Sequence, residues 1–168
     1  GTWSSIGIEK KITKKWNVET ETELRTIGGN NLYFVRLIER WNIGVTTNYD
    51  INKNLKFGIG YDFMNKLDTK YKNYQFRNRF NFAGTGKLKI YDFTFTLRER
   101  IQTTFKDDSK RLYSDGSIDI YKMNPEWSWR NRLKISYNIP NFKINPSISA
   151  ETFYQLNNPD GNRFENIR

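Results

Sequence analysis

Cysteine and histidine are both missing from the 168-residue chain. Without cysteine there is no disulfide framework, no thiolate nucleophile and no cysteine-ligated zinc or iron–sulfur site. Without histidine, Ser-His-Asp and Cys-His catalysis, histidine-dependent lipid deacylation and Asp-His proteolysis all lose their base. Long apolar runs are missing too: nowhere do about 20 consecutive apolar residues occur, so no membrane-spanning helix is expected. Internal repeats, low-complexity tracts and linkers are likewise absent, and the length suits a single domain spanning residues 1–168.

The remaining chemistry is thin, and an enzyme is not expected. Glu19, Glu21 and Glu23 recur every second residue, a spacing open to a glycosidase-like carboxylate pair, but salt-bridged glutamates are the simpler expectation. Asp107, Asp108, Asp115 and Asp119 carry oxygen ligands of the kind calcium takes, yet lack EF-hand spacing and read as a solvated acidic loop. Gly58 and Gly60 lie within a strand rather than before a helix, so they form no phosphate-binding loop; they leave room or permit bending. No catalytic residue, cofactor or metal is assigned.

What the chain does have is an aromatic content of 16% together with a mean hydropathy of −0.82. Apolar residues that alternate with polar ones average out in this way. Period-two alternation runs from end to end and argues for strands. Trp16, Val18, Thr20, Thr22 and Leu24 alternate with Asn17, Glu19, Glu21, Glu23 and Arg25. Trp41, Ile43, Val45, Thr47 and Tyr49 oppose Arg40, Asn42, Gly44, Thr46 and Asn48. The same division sets Leu55, Phe57, Ile59, Tyr61 and Phe63 against Lys56, Gly58, Gly60 and Asp62. Further on, Tyr74, Phe76, Phe80 and Phe82 oppose Gln75, Arg77, Arg79 and Asn81, and Tyr91, Phe93, Phe95 and Leu97 oppose Thr94, Thr96, Arg98 and Arg100. Trp127, Trp129, Leu133, Ile135 and Tyr137 then face away from Ser128, Arg130, Arg132 and Lys134. The last clear segment separates Ile144, Pro146, Ile148, Ala150 and Tyr154 from Lys143, Asn145, Ser147, Ser149 and Glu151. With a less regular first segment from Thr2 to Ile12, eight strands are visible, and Arg163 onward opens a ninth.

Links read as short at Thr13 to Lys15, Asp50 to Asn54, Ala83 to Lys87 and Ile139 to Asn141, and as longer at Thr26 to Leu32, Asn65 to Lys70, Lys106 to Glu126 and Asn157 to Asn162. Short turns on one rim and long loops on the other are the plan of outer-membrane barrels, with the short turns in the periplasm. That plan places the start of the first strand outside the cell, so either a strand precedes Gly1 or the rims are reversed. A fragment of a barrel with ten or more strands is the expectation. Asp115-Gly116 among β-type residues marks a small hairpin in the longest loop.

Alternation alone does not separate a soluble β-protein from a membrane barrel, in which the polar face turns inward. Two features favour inversion. Trp16, Trp41, Tyr49, Tyr61, Trp127, Trp129, Tyr137 and Tyr154 lie on the apolar faces, suiting a membrane-interface belt. The polar faces carry Glu19, Glu21, Glu23, Arg36, Arg40, Asp62, Arg77, Arg79, Arg98, Arg100, Arg130, Arg132 and Glu151, a set that can neutralise itself in a narrow lumen. Glu39 and Glu99 fall on apolar faces and are expected near the long-loop end, beyond the hydrocarbon; Lys10, Asn78 and Asn131 have no such escape. The net charge of +10 fits anionic lipid as well as nucleic acid. Against nucleic acid, rings and cations take opposite faces here, whereas a stacking platform needs them on one.

The steps Glu21-Thr-Glu-Leu-Arg25, Arg77-Asn-Arg-Phe80, Leu97-Arg-Glu-Arg-Ile-Gln102, Arg130-Asn-Arg-Leu133 and Glu151-Thr-Phe-Tyr154 resemble the outer-membrane barrels grouped as domain-of-unknown-function family 2490. The resemblance spans nearly the whole chain and implies a barrel with inward arginine and glutamate, without supplying an activity. Overall, the sequence leads to an all-β antiparallel transmembrane barrel in the bacterial outer membrane, without enzymatic activity. Its expected role is structural or accessory, among outer-membrane lipid and other outer-membrane proteins, with the Lys106 to Glu126 loop as contact surface. A narrow anion-preferring pore is the first alternative and a soluble basic β-protein that binds nucleic acid the second.

Overall fold

A computed structural model describes residues 1–27, 37–113, 115–140 and 145–167. Its strands are β1 (Trp3–Lys11), β2 (Trp16–Ile27), β3 (Leu37–Asp50), β4 (Leu55–Asp68), β5 (Asn73–Ile90), β6 (Phe93–Lys106), β7 (Glu126–Tyr137), β8 (Ser147–Gln155) and β9 (Arg163–Ile167). They form one antiparallel sheet in sequence order, β1 to β9, each strand bonded to its chain neighbours. The ninth strand begins at Arg163, and no helix is long and apolar enough to cross a membrane.

Register carries the two-residue period across the whole sheet. One row pairs Glu19, Thr46, Gly60, Asn81, Gln102, Ser128 and Gln155 in turn; the adjacent row on the opposite face pairs Thr20, Val45, Tyr61, Phe80, Thr103 and Trp127. Because the registers preserve the alternation, apart from shifts at Arg25–Thr26 and Phe153–Tyr154, the polar sides fall on one face. That face is the packed one. Asn17, Gln75, Asn81, Gln102, Thr104 and Gln155 are buried, and the buried apolar residues among those described are Met64 and Ala83. On the other face Ile43, Ile59, Phe80, Phe82, Leu97 and Ile101 are exposed, Ile59 to 61%. The expected inversion of the faces is present.

The sheet is strongly curled around its polar face. Glu19 and Glu21 of β2 line a single cavity of about 120 Å³ with Arg98 and Arg100 of β6, four strands away. Glycines permit this crowding on the inner side: a Cβ on Gly44 would lie 2.3 Å from Asp62 Oδ1, and one on Gly60 would lie 2.7 Å from Thr46 Oγ1 and from Asn81 Nδ2. Room for inward side chains, one of the two roles expected of Gly58 and Gly60, is what they provide.

The curl stops short of the closed barrel expected from sequence. Among the described residues, β1 bonds only β2, and β9 only β8. Closure needs two edges of matched length and register, but β9 has 5 residues against 9 in β1 and meets β8 through an irregular register.

Three links differ from expectation. Asn145 and Pro146, expected within the last clear segment, precede β8, which begins at Ser147, while 141–144 lie outside the described residues. Ala83 to Lys87 is strand, not turn: Gly86 pairs with Leu55 and Gly84 with Phe57, and β5 continues to Ile90 before a two-residue turn at Tyr91-Asp92. Tyr91 takes the left-handed conformation there, at φ 51°. The glycines that read as turn signals instead clear the outer face; a Cβ on Gly84 would sit 3.3 Å from Phe57 Cε1. Likewise β4 runs on to Asp68, past Asn65, because Leu67 pairs with Tyr74 and Asp68 with Asn73. The short turns at 12–15, 51–54 and 91–92 share one end of the sheet, and the 107–125 loop lies at the other.

Candidate functional site

The polar interior divides into three zones along the strands. In the middle, side chains meet across strands. Arg40 pairs with Glu23 of the neighbouring strand. Arg79, partnered in register by Asp62, donates from Nε to Thr104 Oγ1 at 3.2 Å. Arg130 reaches Glu151 at 2.8 Å and Gln102 Oε1 at 3.2 Å, with its guanidinium 4.5 Å from the Phe153 ring. Glu19 and Glu21 face Arg98 and Arg100 across the cavity rather than along the sheet.

At the long-loop end the interior is covered by the loop itself. Arg111 is the hub: its Nε lies 3.1 Å from Asp68, its Nη2 3.1 Å from Asp119, and its guanidinium 3.9 Å from the Tyr121 ring. The Tyr121 hydroxyl donates to Gln75 Oε1 and accepts from Arg77 Nη2 at 3.3 Å. Gln75 and Arg77 belong to the inner face of β5, so the loop folds inward over the polar end. Asn124 staples the return, accepting from Lys106 N at 2.9 Å and donating to Lys106 O at 2.6 Å. The expected small hairpin is present as the Leu112–Ile118 bridge with Gly116 at φ 82°.

Charge compensation in this cap is strong. Hydrogen bonds from the Lys70 ammonium and the Tyr71 hydroxyl, with Arg111 beside them, hold the Asp119 carboxyl at about 2. The same contact lifts the Lys70 amine above its ordinary range. Desolvation pushes the Tyr121 phenol upward, against the pull of Arg77 and Arg111. The four loop aspartates are engaged separately: Asp107 by Ser109, Asp108 by the Tyr121 amide and Asn124, Asp115 by Ser117, Asp119 by Lys70. No metal-holding group of three or more such ligands occurs among the described residues.

At the short-turn end lies a larger cavity of about 280 Å³, reached by Arg98 and Arg132 together with Lys56 and Lys87. Arg36 lies outside the described residues.

The outer face accounts for polar residues that the alternation left stranded. Asn78 accepts a hydrogen bond from the Tyr61 hydroxyl at 2.6 Å, and Glu99 accepts one from Trp129 Nε1 at 2.7 Å. Glu99 is therefore not beyond the strand end, as expected from sequence; it sits mid-strand, between Gly84 and Asn131, where an indole partners it. Glu39 is the extra residue of a bulge opposite the Arg25–Thr26 step, and the bulge turns its carboxylate onto Arg25 Nε at 2.8 Å. Of the aromatic belt, Trp16 and Tyr49 make a tilted ring contact at the short-turn rim with centroids 4.8 Å apart, and Tyr137 does so with Phe93 at 4.9 Å. Trp41 packs on Phe63 toward the other rim, Trp127 opens β7 and Tyr154 pairs with Trp129. Tyr61 is at mid-strand, where its hydroxyl serves Asn78.

The family described as "Protein of unknown function (DUF2490)" matches residues 1–168. The chain belongs to this family. No curated protein and no solved structure matches it. For this DUF2490 chain the interior is thus the feature from which a role can be argued, and the cap residues Asp68, Lys70, Arg111 and Tyr121 are the ones sequence reading passed over. Their available signal was a loop with balanced Arg, Asp and Tyr content rather than a one-signed run.

Proposed function

We propose that this protein is a non-enzymatic outer-membrane β-barrel component, a structural or accessory member of a larger outer-membrane assembly. One observation carries the reading: the apolar face of the sheet is open to the surroundings while glutamines and asparagines are buried on the other. Soluble monomers rarely expose contiguous apolar patches beyond a few hundred Å², and a bilayer is the environment in which this polarity is favourable. Hydrocarbon also imposes a condition. An unpaired strand edge there costs on the order of several kcal/mol for each unsatisfied group, so in the membrane both free edges, β1 and β9, take a further hydrogen-bonded neighbour. The cap over one end of the interior supports an occluded barrel, and its loop, 107–125, is the surface offered to other outer-membrane proteins.

The test is fractionation of the native protein, followed by reconstitution with brominated lipid. Trp16, Trp41, Trp127 and Trp129 lie on the outer face, so bromine is expected to quench most of the tryptophan fluorescence. Recovery in the soluble fraction without detergent, with unquenched emission, overturns the proposal and favours the soluble β-protein. A narrow anion-preferring pore is the second reading, favoured by the arginine-lined cavity at the short-turn end. Steady anion-selective single-channel current would establish it and remove the occluded version.

A further inference from the structure

The arginines of the interior are not treated alike. Arg130 has Glu151, Gln102 and the Phe153 ring; Arg40 has Glu23; Arg111 has two carboxylates. Arg98 and Arg132 stand directly opposite one another on β6 and β7, so their Cβ atoms are about 4.5–5.5 Å apart, a juxtaposition that is unfavourable for like charges. Among the described residues neither is in ion-pair contact with a carboxylate, and Glu151, directly opposite Arg132 on β8, is engaged by Arg130.

Both arginines open onto the cavity of about 280 Å³ at the short-turn end. Lys53, Lys56 and Lys87 add three more cations to its lining, against Glu19 and Asp50, and Asp50 is already 3.7 Å from the Lys56 ammonium. Threonine hydroxyls from β3, β5 and β6, at Thr46, Thr85 and Thr96, complete the wall with hydrogen-bond donors. The space holds several waters at about 30 Å³ each, or one compact ligand that displaces them. Two guanidinium forks side by side match the oxygen geometry of an oxyanion, and ammonium groups at the mouth add attraction without competing for that geometry.

We propose that this cavity is a binding site for a compact multivalent oxyanion of the phosphate or pyrophosphate class, held between Arg98 and Arg132. The anion supplies a direct counter-charge to two residues that Glu19 and Glu151 approach without pairing with them. The site stands on the interior geometry alone and holds whether the outer face meets lipid or not.

The test is calorimetric titration of the purified protein with inorganic pyrophosphate and inorganic phosphate, at ionic strength fixed with sodium chloride. Saturable binding of one pyrophosphate per chain is expected, weakened at least ten-fold in Arg98→Gln and in Arg132→Gln. Arg98→Lys is expected to keep part of the affinity, and Lys87→Gln, at the exposed mouth, to lose a few-fold. Arg163→Gln, on β9, is expected to bind as the wild type does. A short-chain phosphatidylglycerol that displaces pyrophosphate identifies a lipid headgroup as the source of the oxyanion; binding without such displacement identifies a free anion. A thermal readout guards against misfolding: pyrophosphate raises the melting temperature of the wild type above that in chloride of equal ionic strength, and fails to do so in Arg98→Gln. Equal heats in wild type and both glutamine variants, or no difference between pyrophosphate and matched chloride, overturn the proposal.

Discussion

The two ends of the polar interior handle positive charge in opposite ways. At the long-loop end a cation at the centre, Arg111, is shared by two carboxylates and two aromatic rings, Tyr121 and Tyr71. At the short-turn end Arg98 and Arg132 stand side by side over open space, and among the described residues neither is in direct ion-pair contact with a carboxylate. The difference follows the connections. A long loop folds back and brings its own counter-charges and rings, whereas the 51–54 turn brings Asn52, Lys53 and Asn54 to the cavity and no carboxylate. The interior is sealed where the 107–125 loop covers it, and at the other end cations outnumber carboxylates around open space, which is where a ligand can act as a further counter-ion.

That contrast can be broken most sharply at Arg111. Arg111→Ala strips Asp68 of its cation and leaves Asp119 to Lys70 alone; it is expected to cost about 3 kcal/mol, read by chemical unfolding and by cleavage of the 107–125 loop by added protease. Arg111→Lys recovers part of the loss, because an ammonium cannot bridge two carboxylates with a planar fork. Next comes Tyr121→Phe, which strips the hydroxyl from the buried Gln75 carbonyl and from Arg77. It is expected to cost about 1–2 kcal/mol, with faster amide exchange confined to the loop and the start of β5.

A smaller change sharpens the comparison from the other side. Glu151→Gln removes the partner of Arg130 and adds a third unneutralised guanidinium near Arg132. A loss of about 1 kcal/mol in stability is expected, together with tighter pyrophosphate binding by calorimetry; unchanged affinity would separate the two zones electrostatically.

Acid tests the cap alone. The Asp119 carboxyl titrates at about 2 in the folded protein, below its unfolded value of about 3.9. Its contribution is complete above the unfolded value and is lost as pH falls from there through about 2. Loop protection against exchange is expected to persist at pH 5 and to decline only below pH 4, and Asp119→Asn is expected to flatten that decline. The smallest effect belongs to Lys122–Asp160, 3.9 Å apart with side chains 81% and 71% exposed. Lys122→Ala is expected to change stability by less than about 0.5 kcal/mol.

The strands and their faces were legible because period two is a local property: Glu19, Glu21 and Glu23 declare a common side in five residues, and the registers carry that side across to Gln155. Local reading failed where a residue answers to a distant one. Gly84 and Gly86 resemble a turn until Phe57 and Leu55 are placed opposite them. Glu99 looked as though it had to escape the apolar face, but Trp129, thirty residues later, offers its indole N–H in place. The cap was invisible for the same reason, since Arg111 has no period to follow and its partners Asp68 and Tyr121 come from separate segments.

The order of hydrophobic and polar residues therefore decided by itself that the chain is an antiparallel meander with one wet and one oily side, because alternation needs no partner to be read. How far the sheet curls, where the edges remain open and which arginines find carboxylates were decided only in three dimensions. Those outcomes depend on side chains four strands apart meeting across a concave surface, and no spacing along the chain encodes that distance.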